Sequence, residues 1–224
     1  MWNLIFRPPN IFCFCPGCRL DIVFVVDSSG SITFSEGGAQ NWQDILNFII
    51  SLSNALFSAG CDLRVGVVVF STDVTVSMTL AQGTNPDSVE SIVSAIPHKG
   101  DKTNIALGLE TALDSVFVGT NGDRADAQDF IILIVDGTAD LRPNDQITVA
   151  TRAKDDDIYI ITVGITGSIN VNDLNTIASN NQVFQAATYS IPSAQQNAIQ
   201  QLIFENAGFS GSSTGITFYM ISSS

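Results

Sequence analysis

Residues 21–27 (DIVFVVD) and 129–136 (DFIILIVD) are uninterrupted apolar runs closed at both ends by aspartate. Such runs lack the alternation of a sheet with one wet face, so each predicts a strand covered on both sides. A third run, 64–70 (RVGVVVF), passes through Ser71-Thr72-Asp73 into 74–79 (VTVSMT), which alternates with period two. This predicts a tight turn into an antiparallel edge strand. Further strands are expected at 158–163 and, briefly, at 182–185. Between them apolar residues recur at helical spacing, as in Trp42, Ile45, Leu46, Ile49, Leu52 and Leu56, where Gly60 stops a helix over 39–57. Other helices are expected from Asn85 to about Ile96 and over 104–118, 145–156, 171–178 and 192–206. Strands alternating with helices predict an α/β fold: a doubly wound, mostly parallel central sheet with one antiparallel edge strand and helices on both faces.

The 224 residues are 45% hydrophobic and 14% charged, enough for a buried core and unlike a disordered chain. Nine basic against twenty-two acidic residues leave a net charge of −13, which repels phosphate backbones and anionic lipid. Nucleic acid is therefore excluded as a partner, and no apolar run approaches the roughly 18 residues that membrane insertion needs. Residues 1–10 (MWNLIFRPPN) hold a short apolar patch broken by Arg7-Pro8-Pro9, so no signal peptide is read. The expected organisation is a Cys-containing N-terminal segment over 1–17, one domain over 18–206, and a Ser/Gly-rich tail over 207–224. The chain is expected to be a piece of a longer, multidomain protein.

Ligands of an open parallel sheet bind at the carboxyl ends of its strands. Three polar clusters fall there: Asp27-Ser28-Ser29-Gly30-Ser31, Gly100-Asp101-Lys102-Thr103-Asn104 and Asp136-Gly137-Thr138. Two carboxylates and three hydroxyls, with no His or Cys among them, suit Mg²⁺, Mn²⁺ or Ca²⁺. Asp27-x-Ser29-x-Ser31 after an apolar strand, Thr103 before a helix and Asp136-Gly137 after another strand together resemble the von Willebrand factor type A family. The five positions match that family's metal-ion-dependent adhesion site, and the resemblance extends from about Leu20 to Asn206. It implies a Rossmann-like fold and a divalent cation, Mg²⁺ or else Mn²⁺ or Ca²⁺. Ser29, Ser31 and Thr103 would hold the cation directly, and Asp27 and Asp136 directly or through water. Gly30, Asp101, Lys102 and Gly137 would form the rim. It further implies cell adhesion or matrix binding: the acidic residue of a protein ligand, collagen-like or another matrix protein, completes the metal shell. In relatives, movement of the loop carrying Thr103, coupled to the last helix, separates affinity states.

The chain departs from extracellular members of that family where they carry a cysteine after the last helix; here that end reads Glu205-Asn206-Ala207-Gly208. Cys13, Cys15, Cys18 and Cys61 allow three pairings, or a zinc site whose spacing is unusual. Cys18 lies three residues before Asp21 and Cys61 three before Arg64. If those strands are parallel neighbours, Cys18 and Cys61 meet at the bottom edge, the predicted bridge. Disulfides and the resemblance place the chain outside the cell.

No enzyme is expected. A haloacid-dehalogenase-type phosphatase would need an acid/base aspartate where Ser29 stands. A serine nucleophile would need a base, and the single histidine, His98, is read as a surface side chain. The competing reading is a structural matrix protein that self-associates without metal-dependent ligand binding.

Overall fold

The computed structural model describes residues 18–165 and 169–207. The expected 1–17 segment, with Cys13 and Cys15, and the tail beyond residue 207 lie outside the described residues. Among these described residues six strands, β1 (Arg19–Asp27), β2 (Asp62–Phe70), β3 (Val74–Gly83), β4 (Gln128–Val135), β5 (Tyr159–Ile165) and β6 (Val183–Ala186), form one sheet in the order β3-β2-β1-β4-β5-β6. All pairings are parallel except β2 with β3. Among the described residues seven α-helices cover it: α1 (Gly30–Phe34), α2 (Ala39–Ser58), α3 (Pro86–Val93), α4 (Ile105–Thr111), α5 (Asp145–Asp155), α6 (Val171–Ile177) and α7 (Ser193–Asn206).

The central strand shows why the apolar runs are unbroken. Leu20, Ile22, Phe24 and Val26 of β1 pack into the core beneath α2, α3 and α7. Val23 and Val25 point into the core beneath α4, α5 and α6. A strand with a hydrophobic layer on each side has no place for polar alternation between Asp21 and Asp27. The chain builds β2 and β3 on one side of β1, then crosses to build β4, β5 and β6 on the other. The crevice at the carboxyl ends of β1 and β4 is therefore the topological switch point, where such sheets bind ligands.

The structure differs from the sequence reading in three places. β3 runs on to Gly83, past Thr79, because register shifts in its pairing with β2 break the alternation. The helix expected over 104–118 is α4 followed by a π-helical turn, Ala112–Val116, in which Phe117 N donates to Ala112 O. That wider turn buries Ala112, Leu113 and Val116 together. Residues 30–34, read in part as loop, form the short helix α1.

At the amino ends of the strands, β1 and β2 pair in the register Arg19↔Asp62, so Cys18 and Cys61 come side by side one step earlier. They form a disulfide with Cα atoms 5.0 Å apart. Nearby, Arg124 donates to Asp21 from its amide (2.8 Å), Nε (2.9 Å) and Nη2 (2.7 Å), and Nη2 also reaches Leu20 O.

Candidate metal centre

Parallel pairing of Val26 with Ile134 carries Asp27 and Asp136 to one rim, both buried. The chain after Asp27 turns sharply: Ser29 N donates to Asp27 Oδ1 at 2.8 Å, an Asx-type turn. Ser29 occupies the N-cap position of α1, yet its hydroxyl caps no amide. It lies instead 3.0 Å from Ser31 Oγ, and Ser31 Oγ donates to Asp136 Oδ1 at 2.8 Å. Two hydroxyls and two carboxylates from separate strands thus meet in one small space.

The loop before α4 is fastened onto this turn. Gly100 N donates to Ser28 O (2.8 Å), Lys99 N to Ser28 Oγ (2.8 Å) and Gly30 N to Asp101 O (2.9 Å). To present its carbonyl so, Asp101 adopts φ 76°, a left-handed conformation unusual for a non-glycine residue, directly after Gly100 at φ 82°. Thr103 is buried two residues on, its amide donating to Asp140 Oδ2 (3.1 Å) and its carbonyl accepting from Asp140 N and Leu141 N. Asn104 then caps α4 through its side chain. α4 can sit this low on the sheet because Gly108 faces Phe70 and Val25; a Cβ there would lie 2.5 Å from the Phe70 ring. Lys102 and Asp101 are exposed at the rim, and Gly137 has open space above its Cα.

Asp27 is the electrostatic problem of the site. It is 1% exposed, its Oδ2 is buried without a hydrogen-bond donor, and no ion pair reaches it among the described residues. Burial, followed by the charge of Asp136, pushes its carboxyl well above the ordinary carboxylate range, against the hydrogen bonds from Ser29. A buried carboxylate oxygen with no partner is costly unless a cation is added. The surrounding donors are all oxygens, so the residues fit a hard divalent cation.

Four contributors were not read from the sequence. Tyr189, between β6 and α7, donates its hydroxyl to Asp136 Oδ2 at 2.7 Å. Ser35 Oγ lies 3.3 Å from the same Tyr189 oxygen. Asp140 holds Thr103, and Phe34 stands 90% exposed at the end of α1, its ring against Gly30. Only Phe34 left a trace in the sequence, as an apolar residue just after the serines that belongs to no helical stripe. His98 also differs from its reading as a surface side chain. It is half-buried, its Nε2 is 2.9 Å from Ser29 O, and its ring meets Trp42 edge-on with centroids 5.4 Å apart. Trp42 Nε1 donates in turn to Ile96 O, so the histidine braces the turn rather than facing solvent.

The von Willebrand factor type A domain family model matches residues 21–203. Human integrin alpha-D is 25% identical over 214 residues, covering 92% of this chain and 18% of its own length. Human matrilin-3 is 28% identical over 184 residues, covering 79% of this chain and 36% of its own. The chain thus spans well under half the length of these relatives. Among solved structures, proximal thread matrix protein 1 from the mussel byssus, with a zinc-occupied MIDAS motif, superimposes with a TM-score of 0.72 at 23% identity, covering 86% of this chain and 48% of that one. That likeness is one of fold.

Proposed function

The chain belongs to the von Willebrand factor type A domain family, and on that premise we propose that it is a protein-binding module of the cell surface or extracellular matrix. It would bind an acidic residue of a protein ligand, collagen-like or another matrix protein, through a divalent cation. Ser29, Ser31 and Thr103 would offer neutral oxygens, with Asp27 and Asp136 acting directly or through water. The cation, Mg²⁺ with Mn²⁺ and Ca²⁺ as substitutes, would supply positive charge for the ligand's carboxylate. Zinc in the mussel-thread protein's MIDAS motif supports a metal at this place in the fold.

One observation carries the reading: the buried, donorless Oδ2 of Asp27 beside the Ser29–Ser31 hydroxyl pair, at the β1/β4 switch point. Three neutral hydroxyls leave a dication under-neutralised, which favours a further carboxylate in its shell. The rim suits such an approach. Gly30 and Gly137 present no side chain, Lys102 adds a cation for an acidic ligand, and Phe34 offers an apolar contact beside it.

The test is calorimetry with Mg²⁺ and Mn²⁺ on the wild type and Asp27→Ala, followed by binding to acidic peptides and matrix proteins with and without chelator. Saturable metal binding that the substitution removes, with chelator-sensitive ligand binding, is the expected result. Ligand binding or self-association indifferent to both would turn the assignment to a structural matrix protein.

A further inference from the structure

The carboxylate of Asp136 is gripped at both oxygens. Oδ1 accepts from Ser31 Oγ at 2.8 Å and Oδ2 from Tyr189 Oη at 2.7 Å. The tyrosine comes from the connection between β6 and α7, 53 residues along the chain from Asp136, and is 4% exposed within the core under α2 and α7. Its oxygen also lies 3.3 Å from Ser35, in the turn after α1. Three segments distant in sequence therefore converge on one face of the site.

A buried phenol needs a hydrogen-bond partner, and a carboxylate makes the bond charge-assisted and strong. Bonds at both oxygens fix rotation of the carboxylate about its last torsion. They also draw part of the negative charge toward the tyrosine and away from the metal side.

We propose that Tyr189 is the positioning residue of the metal centre, its hydroxyl holding Asp136 in the orientation that presents Ser31 and the aspartate to the cation. This rests on the metal-binding reading above. Partners standing behind ligating groups typically contribute about 10- to 100-fold to metal affinity. The rival account is that Tyr189 merely fills the core with its ring, and the two differ in what the hydroxyl alone does.

Tyr189→Phe keeps the ring and removes only that hydroxyl. Calorimetry with Mg²⁺ and with Mn²⁺ is expected to show Kd raised about tenfold, while far-ultraviolet dichroism stays that of the wild type. A second readout needs no variant. Titrating Mg²⁺ into the metal-free wild type should perturb the near-ultraviolet absorption of a tyrosine, with the midpoint of the heat curve, because the Tyr189 hydroxyl sits on Asp136. That signal should be absent from Tyr189→Phe, which leaves the other two of the chain's three tyrosines in place. A variant that melts at lower temperature yet binds metal as tightly as the wild type would overturn the positioning role and leave the metal site standing. A wild type that binds neither cation would overturn both.

Discussion

Strand β1 carries a buried aspartate near each end, Asp21 and Asp27, and the molecule treats the two in opposite ways. Asp21, at the amino end, receives three hydrogen bonds from Arg124, beside the Cys18–Cys61 disulfide. Asp27, at the carboxyl end, receives the Ser29 amide at one oxygen and no donor at the other. Burial raises both carboxyls above their ordinary range, but only at Asp21 does a guanidinium work against it. The lower end is also the richer in acid: oxygens of Asp21, Asp123 and Asp129 lie within 4.8 Å of one another. The two ends therefore differ in what stands beside their carboxylates. Below, the chain provides its own positive group, although Asp123 Oδ1 and Asp129 Oδ1 are also buried without a hydrogen bond; above, it provides neutral hydroxyls beside an aspartate that no ion pair reaches among the described residues.

The comparison is broken most directly by exchanging the two losses. Asp21→Ala takes from the Arg124 guanidinium, which is 11% exposed, its buried partner and leaves it the half-exposed Asp62, 2.8 Å from Nη1. Such a deletion costs about 3–5 kcal/mol, or a melting temperature lower by about 10 °C in a domain of this size. Metal affinity should not change. Asp27→Ala should do the reverse: metal-free stability equal to or above that of the wild type, with no thermal shift on adding Mg²⁺. Melting curves of both variants with and without Mg²⁺ decide it. An Asp21→Ala protein that folds but no longer responds to metal would defeat the distinction between the ends.

How much of this was legible beforehand follows the same division. The β1, β2 and β4 runs could be read because burial on both faces leaves no choice of residue type. The parallel neighbours β1 and β2 place Cys18 beside Cys61 for the same reason. The serine–aspartate turn was legible because its residues are adjacent in the chain. Tyr189, Asp140 and Arg124 were not, since each acts on a residue 37 to 103 positions away through one side chain, and no periodicity records that. His98 was misjudged because a polar loop looks solvated until Trp42 is known to lie against it. The π-helical turn left no mark, since Leu113 and Val116 satisfy an α-helical spacing as well.

A smaller effect sharpens the account of the lower end. Asp129 is pushed up from 3.8 to about 7, chiefly by burial, then by the charges of Asp123 and Asp21, with Arg124 opposing. Its folded form thus holds a proton more tightly than the unfolded chain. The contribution is fully present below the unfolded value near pH 4 and is lost as pH rises through about 7. A shift of this size corresponds to about 4 kcal/mol, which solvent screening at a partly exposed group reduces to about 2 kcal/mol. Asp129→Asn should remove that loss. Urea unfolding at pH 5 and pH 8, which samples about two of the three pH units of that window, should show the wild type losing about 1 kcal/mol more than the variant. Parallel losses would mean that Arg124 neutralises all three aspartates.

The smallest effect belongs to the outer shell of the same cluster. Arg19 pairs with Asp62 at 3.0 Å and with Asp126, but the three side chains are 44%, 54% and 69% exposed. In water such pairs contribute at most about 1 kcal/mol, because solvent screens the attraction and holding long side chains costs entropy. Arg19→Ala should therefore lower the melting temperature by no more than about 3 °C. The difference should fade in about 0.5 M salt, where exposed charges are screened within a few ångströms. The deficit of Asp21→Ala should persist in that salt, since Arg124 and Asp21 meet where ions cannot enter. If salt instead rescued Asp21→Ala and left Arg19→Ala unchanged, the strength of the lower end would lie in its surface network rather than in the buried pair.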